Sequence, residues 1–198
     1  SVQIPFKDVW HILWGDYNGN EIWQNIIWKS RVPQALTALV AGAGLSVSGL
    51  QMQTVFRNPL AGPSVLGISS GASMGVAFVV LLSGTLGGVA LSKVGIMGEI
   101  ALTISAIIGS LSIMALIVFV SQKVKGNVTL LIIGVMIGYV ANAVIGVLKY
   151  FSVEEDIRAY VIWGLGSFAR VSGNQMTLFV SIMLVLLPVC LLYTSDAA

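Results

Sequence analysis

RVPQALTALVAGAGLSVSGLQMQTVFRNPLAGPSVLGISSG, residues 31–71, is the stretch on which the fold turns. Between Pro33 and Thr54 its strongly polar side chains are Gln34, Gln51 and Gln53, and no charge interrupts the run. About 20 such residues match the hydrocarbon thickness of a bilayer. Arg57, Asn58 and Pro59 then end the helix where water is available, because proline lacks a backbone donor and disfavours helix in the residue before it. The chain turns back into lipid almost at once. The stretch therefore reads as two membrane helices joined by a short polar hairpin.

Composition agrees. A hydrophobic fraction of 57%, 9% charged residues and a mean hydropathy of +0.94 leave too little polar surface to cover a soluble globule of 198 residues. The chain is an integral membrane protein. Its net charge of +2, with basic residues scattered singly, argues against nucleic acid as a partner. Cys190 is alone in an apolar run, so neither a disulfide nor a thiolate metal site can form within the chain, and it reads as a small lipid-phase hydrophobe. His11 is the single histidine and lies outside the apolar runs, as a surface residue and not a metal or haem ligand.

Five spans follow from the apolar runs, at about residues 33–54, 64–83, 99–121, 128–149 and 175–192. Each is followed by a turn signal: Asn58-Pro59, the Gly84 to Gly88 cluster, Lys123 to Asn127, the run Glu154-Glu155-Asp156, and the polar tail. Before the first span, residues 1–30 are amphipathic, with Trp10, Trp14, Trp23 and Trp28 among Asp8, Asp16 and Glu21. Tryptophan prefers the headgroup level, so this segment is expected to lie at the interface. Residues 153–168 read as a short helix opened by acids, too short and too charged to cross. The expected fold class is an all-α polytopic bundle of about five spans with those two additions.

Positive charge in short loops stays in the cytoplasm. The turns at Arg57 and at Lys123 and Lys125 are basic without acids, so both are expected to face inward. The N-terminal segment, the Lys93 to Glu99 loop and the Glu154 to Arg170 region hold seven of the eight acids and all five tryptophans, which places them outside. An odd number of spans beginning outside implies that the chain is a fragment of a longer one.

In the fourth span Gly134, Gly138, Asn142 and Gly146 recur every four residues along one helix face. Two readings stand: a small-residue stripe for close helix packing, or a face on a water-filled passage, where the amide of Asn142 would be tolerated. Gly67, Gly71 and Gly75 repeat the device in the second span, and Ala38, Gly42 and Ser46 in the first. No charge lies deep in any span, which argues against a proton-coupled carrier; a secondary transporter or channel subunit working without ATP is the alternative reading. There is no phosphate-binding Gly-Lys-Ser or Gly-Lys-Thr, so nucleotide energy would come from another polypeptide. Serines such as Ser69 and Ser70 have no histidine or acid to activate them, so no catalytic residue is assigned.

Arg31-Val32-Pro33, then Gly49 and Gln53, then Phe56-Arg57-Asn58-Pro59-Leu60-Ala61 with Leu66-Gly67-Ile68-Ser69-Ser70-Gly71-Ala72, resembles the signature of the FecCD-type permeases. These are membrane subunits of bacterial ABC importers for iron-siderophores, haem and cobalamin. Residues 158–168, RAYVIWGLGSF, are similar to the family's short periplasmic helix before its sixth span. The resemblance implies the second to sixth of the family's spans, in the inner membrane. It implies as partners a second permease subunit, usually as a homodimer, cytoplasmic ATP-binding subunits and a periplasmic substrate-binding protein. No cofactor is implied. The tail Tyr193 to Ala198 departs from the family's pattern.

Three roles come with the resemblance. Arg31 matches the arginine at the periplasmic rim that meets carboxylates of the binding protein, and Gln34 stands where many relatives have a second arginine. Asn58 and Leu60 match the hairpin that helps close the cytoplasmic end of the passage. Asn127 and Val128 occupy the loop that supplies the other cytoplasmic gate. Each also has a plainer reading, Arg31 as an interfacial charge reaching water and Asn58-Pro59 as an ordinary turn. No aromatic or charged cage selects one chelate.

Overall fold

The computed structural model describes residues 2–15, 19–85, 96–124, 126–169, 171 and 173–196. Of the features read from the sequence, Asp16, Gly88, Lys93, Lys125, Arg170, Ala197 and Ala198 lie outside these residues. The described chain is helical: α1 (Phe6–Trp14), α2 (Glu21–Ile26), α3 (Val32–Phe56), α4 (Ile68–Thr85), α5 (Ile96–Ser121), α6 (Asn127–Phe151), α7 (Glu154–Gly164) and α8 (Gly173–Asp196). Among the described residues, four helices are long and apolar enough to cross a membrane: Glu21–Phe56, Gly98–Ser121, Asn127–Phe151 and Gly173–Leu192. The fifth expected span is α4. Its 18 residues rise about 27 Å, slightly less than a hydrocarbon core of about 30 Å.

Two boundaries differ from expectation, each for a local reason. The second span starts at Ile68 and not near residue 64, because Gly67 takes a φ of 72° and its carbonyl then accepts the first helical bond from Gly71 at 2.9 Å. The first membrane helix does not open at Pro33. It runs back to Glu21 through a π-helical turn at Ile27–Arg31, with the Val32 N–H donating to the Ile27 carbonyl. A proline inside a helix has no N–H to give, and its ring crowds the carbonyl four residues earlier. The wider turn just before Pro33 relieves that crowding. The helix begins instead at Asn20, whose side chain accepts the Ile22 N–H at 2.9 Å as an N-cap. Among the described residues of the N-terminal segment, α1 alone is separate from the membrane helix.

The chain forms two compact units. One comprises Ser1–Val47 and Ser167–Ala198. Within it α3 and α8 approach closely at Gly44, where an added Cβ would strike the Met183 side chain. The other, Ser48–Gly166, holds two apolar clusters. Phe56, Ala61, Leu66, Ile113, Ile117 and Leu131 join the hairpin to α5 and α6. Val76, Ala77, Val80, Leu81, Ile145 and Tyr160 join α4, α6 and α7. Between α4 and α5 the backbones nearly touch: a Cβ on Gly75 would strike the Ser105 carbonyl, and one on Gly109 the Gly71 carbonyl. Lipid offers no hydrophobic drive between helices, so contact of this closeness supplies their association.

Candidate functional site

The hairpin after α3 is built by a defined stop. Asn58 N–H donates to the Gln53 carbonyl at 3.1 Å and Arg57 N–H to the Thr54 carbonyl at 3.2 Å, which together make a Schellman cap. Arg57 takes the left-handed position of that cap, at φ 48°, where glycine is usual. The Asn58 side chain then accepts the Leu60 N–H at 3.0 Å, and the main-chain carbonyl of Asn58 accepts the Ala61 N–H at 3.0 Å. This local bonding makes the turn that asparagine and proline favour. It buries Ala61 and leaves Leu60 at the tip, 85% exposed.

The second expected gate lies beside the first. Asn127, the first residue of α6, donates from Nδ2 to the main-chain carbonyl of Val55 at 3.0 Å. The last carbonyls of a helix have no partner within it, so a side chain from α6 satisfies one end of α3. Val128 follows, 65% exposed. Asn58, Leu60, Asn127 and Val128 thus belong to one end of the Ser48–Gly166 unit. Arg57 and Lys123 lie in the turns at this same end, with Lys123 Nζ 4.8 Å from the Phe119 ring centroid.

The α6 stripe is divided. Gly134 and Gly138 are buried, on the face that also buries Leu131, Ala141 and Ile145. A Cβ on Gly67 would come within 2.9 Å of the Gly134 carbonyl oxygen and 3.1 Å of the Gly138 nitrogen. Asn142 and Gly146 are exposed, and a Cβ on Gly146 would meet nothing within 4 Å. The cause is the period. Residues four apart advance about 400°, so a stripe spaced by four rotates some 40° per step and leaves the packed face within three steps. Packing accounts for its first half, and its second half lies on an open face.

At the other end of this unit α7 folds back along α4. Ser152 Oγ bonds the Leu148 carbonyl at 2.6 Å and the Leu81 carbonyl at 3.2 Å, fastening the end of α6 to α4. Tyr160 packs into the α4 cluster under Lys149 Nζ, 4.8 Å from its ring centroid. Burial pushes the Tyr160 phenol up, and a hydrogen bond with Ser73 opposes that rise. Asp156 is 4% exposed, and its Oδ2 has no hydrogen-bond partner. Burial raises its carboxyl above the ordinary range, with Glu155 adding to the rise. The sequence places Asp156 among the acids that open this short helix and does not by itself mark it as buried. Its signal was the helical phase, since Asp156, Tyr160 and Trp163 follow at four and then three residues.

In the unit containing the N-terminus, Arg31 is exposed and its guanidinium donates to the Val2 carbonyl at 2.6 Å. One helical turn on, Gln34 Nε2 donates to Ser30 Oγ at 2.9 Å and to the Ala169 carbonyl at 3.4 Å. The expected docking arginine therefore holds Val2, ahead of α1. Among the described residues no group of three or more His, Cys, Asp or Glu could hold a metal ion.

A profile of the FecCD transport family matches residues 1–197. The chain is 36% identical over 184 residues to the vitamin B12 import system permease protein BtuC of Serratia proteamaculans (strain 568), covering 92% of this chain and 51% of that protein. It is 35% identical over 193 residues to the hemin transport system permease protein HmuU of Yersinia pestis, covering 97% of this chain and 53% of that protein. The chain thus spans about half the length of these curated relatives. A solved structure assigned to the metal-chelate type of ABC transporter, in an inward-facing conformation, superposes with a TM-score of 0.69 at 30% identity, covering 85% of this chain and 50% of that one. With its helices long and apolar enough to cross a membrane several times, the chain belongs to the FecCD transport family.

Proposed function

We propose that this chain is part of the permease subunit of a bacterial ABC importer in the inner membrane, carrying an iron-siderophore, haem or cobalamin. A periplasmic binding protein delivers the chelate at the rim near Arg31. Cytoplasmic ATP-binding subunits drive the cycle, and a second permease subunit completes the passage. Arg57 and Lys123 face the cytoplasm, and the turns carrying them form the inner gate through Asn58, Leu60, Asn127 and Val128.

The observation that carries this reading is the FecCD match over residues 1–197. The Asn127 to Val55 bond agrees with it. Two turns fastened to each other move together when the helices tilt, and alternating access by rigid helices needs that. The exposed half of the α6 stripe supports a passage with little affinity of its own. A bulky chelate is released most readily from walls of glycine and an occasional amide, because strong binding inside would hold it back.

The test is uptake of labelled cobalamin, haem and a ferric siderophore by vesicles containing the intact permease, its ATP-binding subunit and its binding protein. Uptake of one of the three that requires hydrolysable ATP supports the reading. Uptake that follows a proton or sodium gradient with no ATP present contradicts it.

A further inference from the structure

Helix α1 wears its aromatic side outward. Phe6, Trp10 and Trp14, four residues apart, are 80%, 54% and 73% exposed, and Leu13 beside them is exposed as well. Ile12 on the opposite face is 2% exposed, and Asp8 and His11 are only partly exposed. A helix facing water has the reverse arrangement, with its polar arc outward. The Trp10 and Trp14 rings lie 5.7 Å apart and tilted at 51°, forming a continuous ridge. Lys7 is exposed at the edge of that ridge.

Two further observations bear on what covers this ridge. The Arg31 guanidinium bonds the Val2 carbonyl, tying the residues just before α1 to the first turns of the membrane helix Glu21–Phe56. That helix continues the same kind of surface, with Ile22 65% and Trp28 49% exposed near its start. An aromatic ridge held where a span leaves the bilayer meets the boundary between headgroups and acyl chains. Tryptophan is favoured there because its ring enters the apolar layer while its N–H stays hydrated, and a lysine at the rim reaches phosphate.

We propose that α1 is a membrane-seated anchor whose Phe6, Trp10 and Trp14 enter the lipid interface, with Lys7 at the phosphate level. The anchor sets the height of the span and of Arg31. It rests on membrane insertion of the chain and not on what the chain carries, so the uptake assay and the test below fail separately.

The test uses the intact protein labelled with 5-fluorotryptophan in vesicles of phosphatidylethanolamine and phosphatidylglycerol. Fluorine resonances are assigned by changing one tryptophan at a time to phenylalanine, so a variant that misfolds costs one assignment and not the experiment. The Trp10 and Trp14 signals should lose most of their intensity with a nitroxide placed high on the lipid acyl chain, and keep most of it with a water-soluble gadolinium chelate. Loss with gadolinium and retention with the lipid nitroxide would put the ridge in water and overturn the proposal. Retention under both reagents would mean that protein covers the ridge, and would overturn it equally.

Discussion

The amide of Asn127 reaches 3.0 Å across to the main-chain carbonyl of Val55, so the first residue of α6 caps the last turn of α3. Two turns separated by about seventy residues of sequence are thereby held at one end of the Ser48–Gly166 unit. The bond explains why an asparagine suits the start of α6 even though it makes no cap for its own helix.

Asn127→Ala should lower stability by about 1 kcal/mol, the usual net worth of such a bond, as read by thermal unfolding in detergent. Val128→Ala, next to it but exposed, should change stability by less than about 0.5 kcal/mol. Equal effects at the two positions would argue that the Val55 carbonyl is satisfied by water.

The division of the α6 stripe makes a paired prediction. Gly134→Ala would put a Cβ 2.9 Å from the Leu66 Cα, and the resulting backbone shift should cost about 1–3 kcal/mol. Gly146→Ala meets open space, so it should gain about 0.5–1 kcal/mol from improved helix propensity. Similar thermal shifts for the two variants would contradict the packing described.

Arg57 occupies a left-handed backbone position at φ 48°. Releasing a side chain from that region is worth about 1 kcal/mol, so Arg57→Gly should raise the unfolding midpoint. Arg57→Ala keeps the strain while removing the charge and should not raise it. A gain in the alanine variant would assign the effect to charge.

Asp156 gives a pH dependence with a definite sign. Its folded carboxyl titrates above the ordinary value of 3.8, so between that value and the raised one the folded state binds more protons than the unfolded. Stability must then fall as pH rises through the raised value. Asp156→Asn should abolish that fall and be more stable than the parent at neutral pH. A variant less stable than the parent at every pH would mean that the carboxylate is paired.

The membrane helices were legible because apolar length is a strong signal, and the turns after α3 and α5 carry the turn formers Asn58-Pro59 and Gly126. The helix ends were less so. Pro33 reads as an opening residue, and only the backbone reveals the π-helical turn that carries it inside a longer helix. Gly67 reads as one more small residue in a stripe, while its φ of 72° delays α4 to Ile68. The residues proposed as a gate could be named from resemblance, but that Asn127 reaches Val55 depends on how α3 and α6 meet, which no local pattern encodes. The sequence shows the α6 stripe as one face, while the structure divides it between a packed half at Gly134 and Gly138 and an open half at Asn142 and Gly146, since spacing by four keeps residues aligned over one or two turns only. Asp156 was hidden by Glu154 and Glu155, whose exposure is what three adjacent acids lead one to expect of all.

The most direct measurement is labelling of single cysteines at positions 57 and 123, in a Cys190→Ser background, with a maleimide that does not cross membranes. Both sites should be protected in intact cells and labelled in inverted vesicles, as a shared cytoplasmic face requires. Labelling of either from outside intact cells would contradict the shared inward face and, with it, the proposed gate.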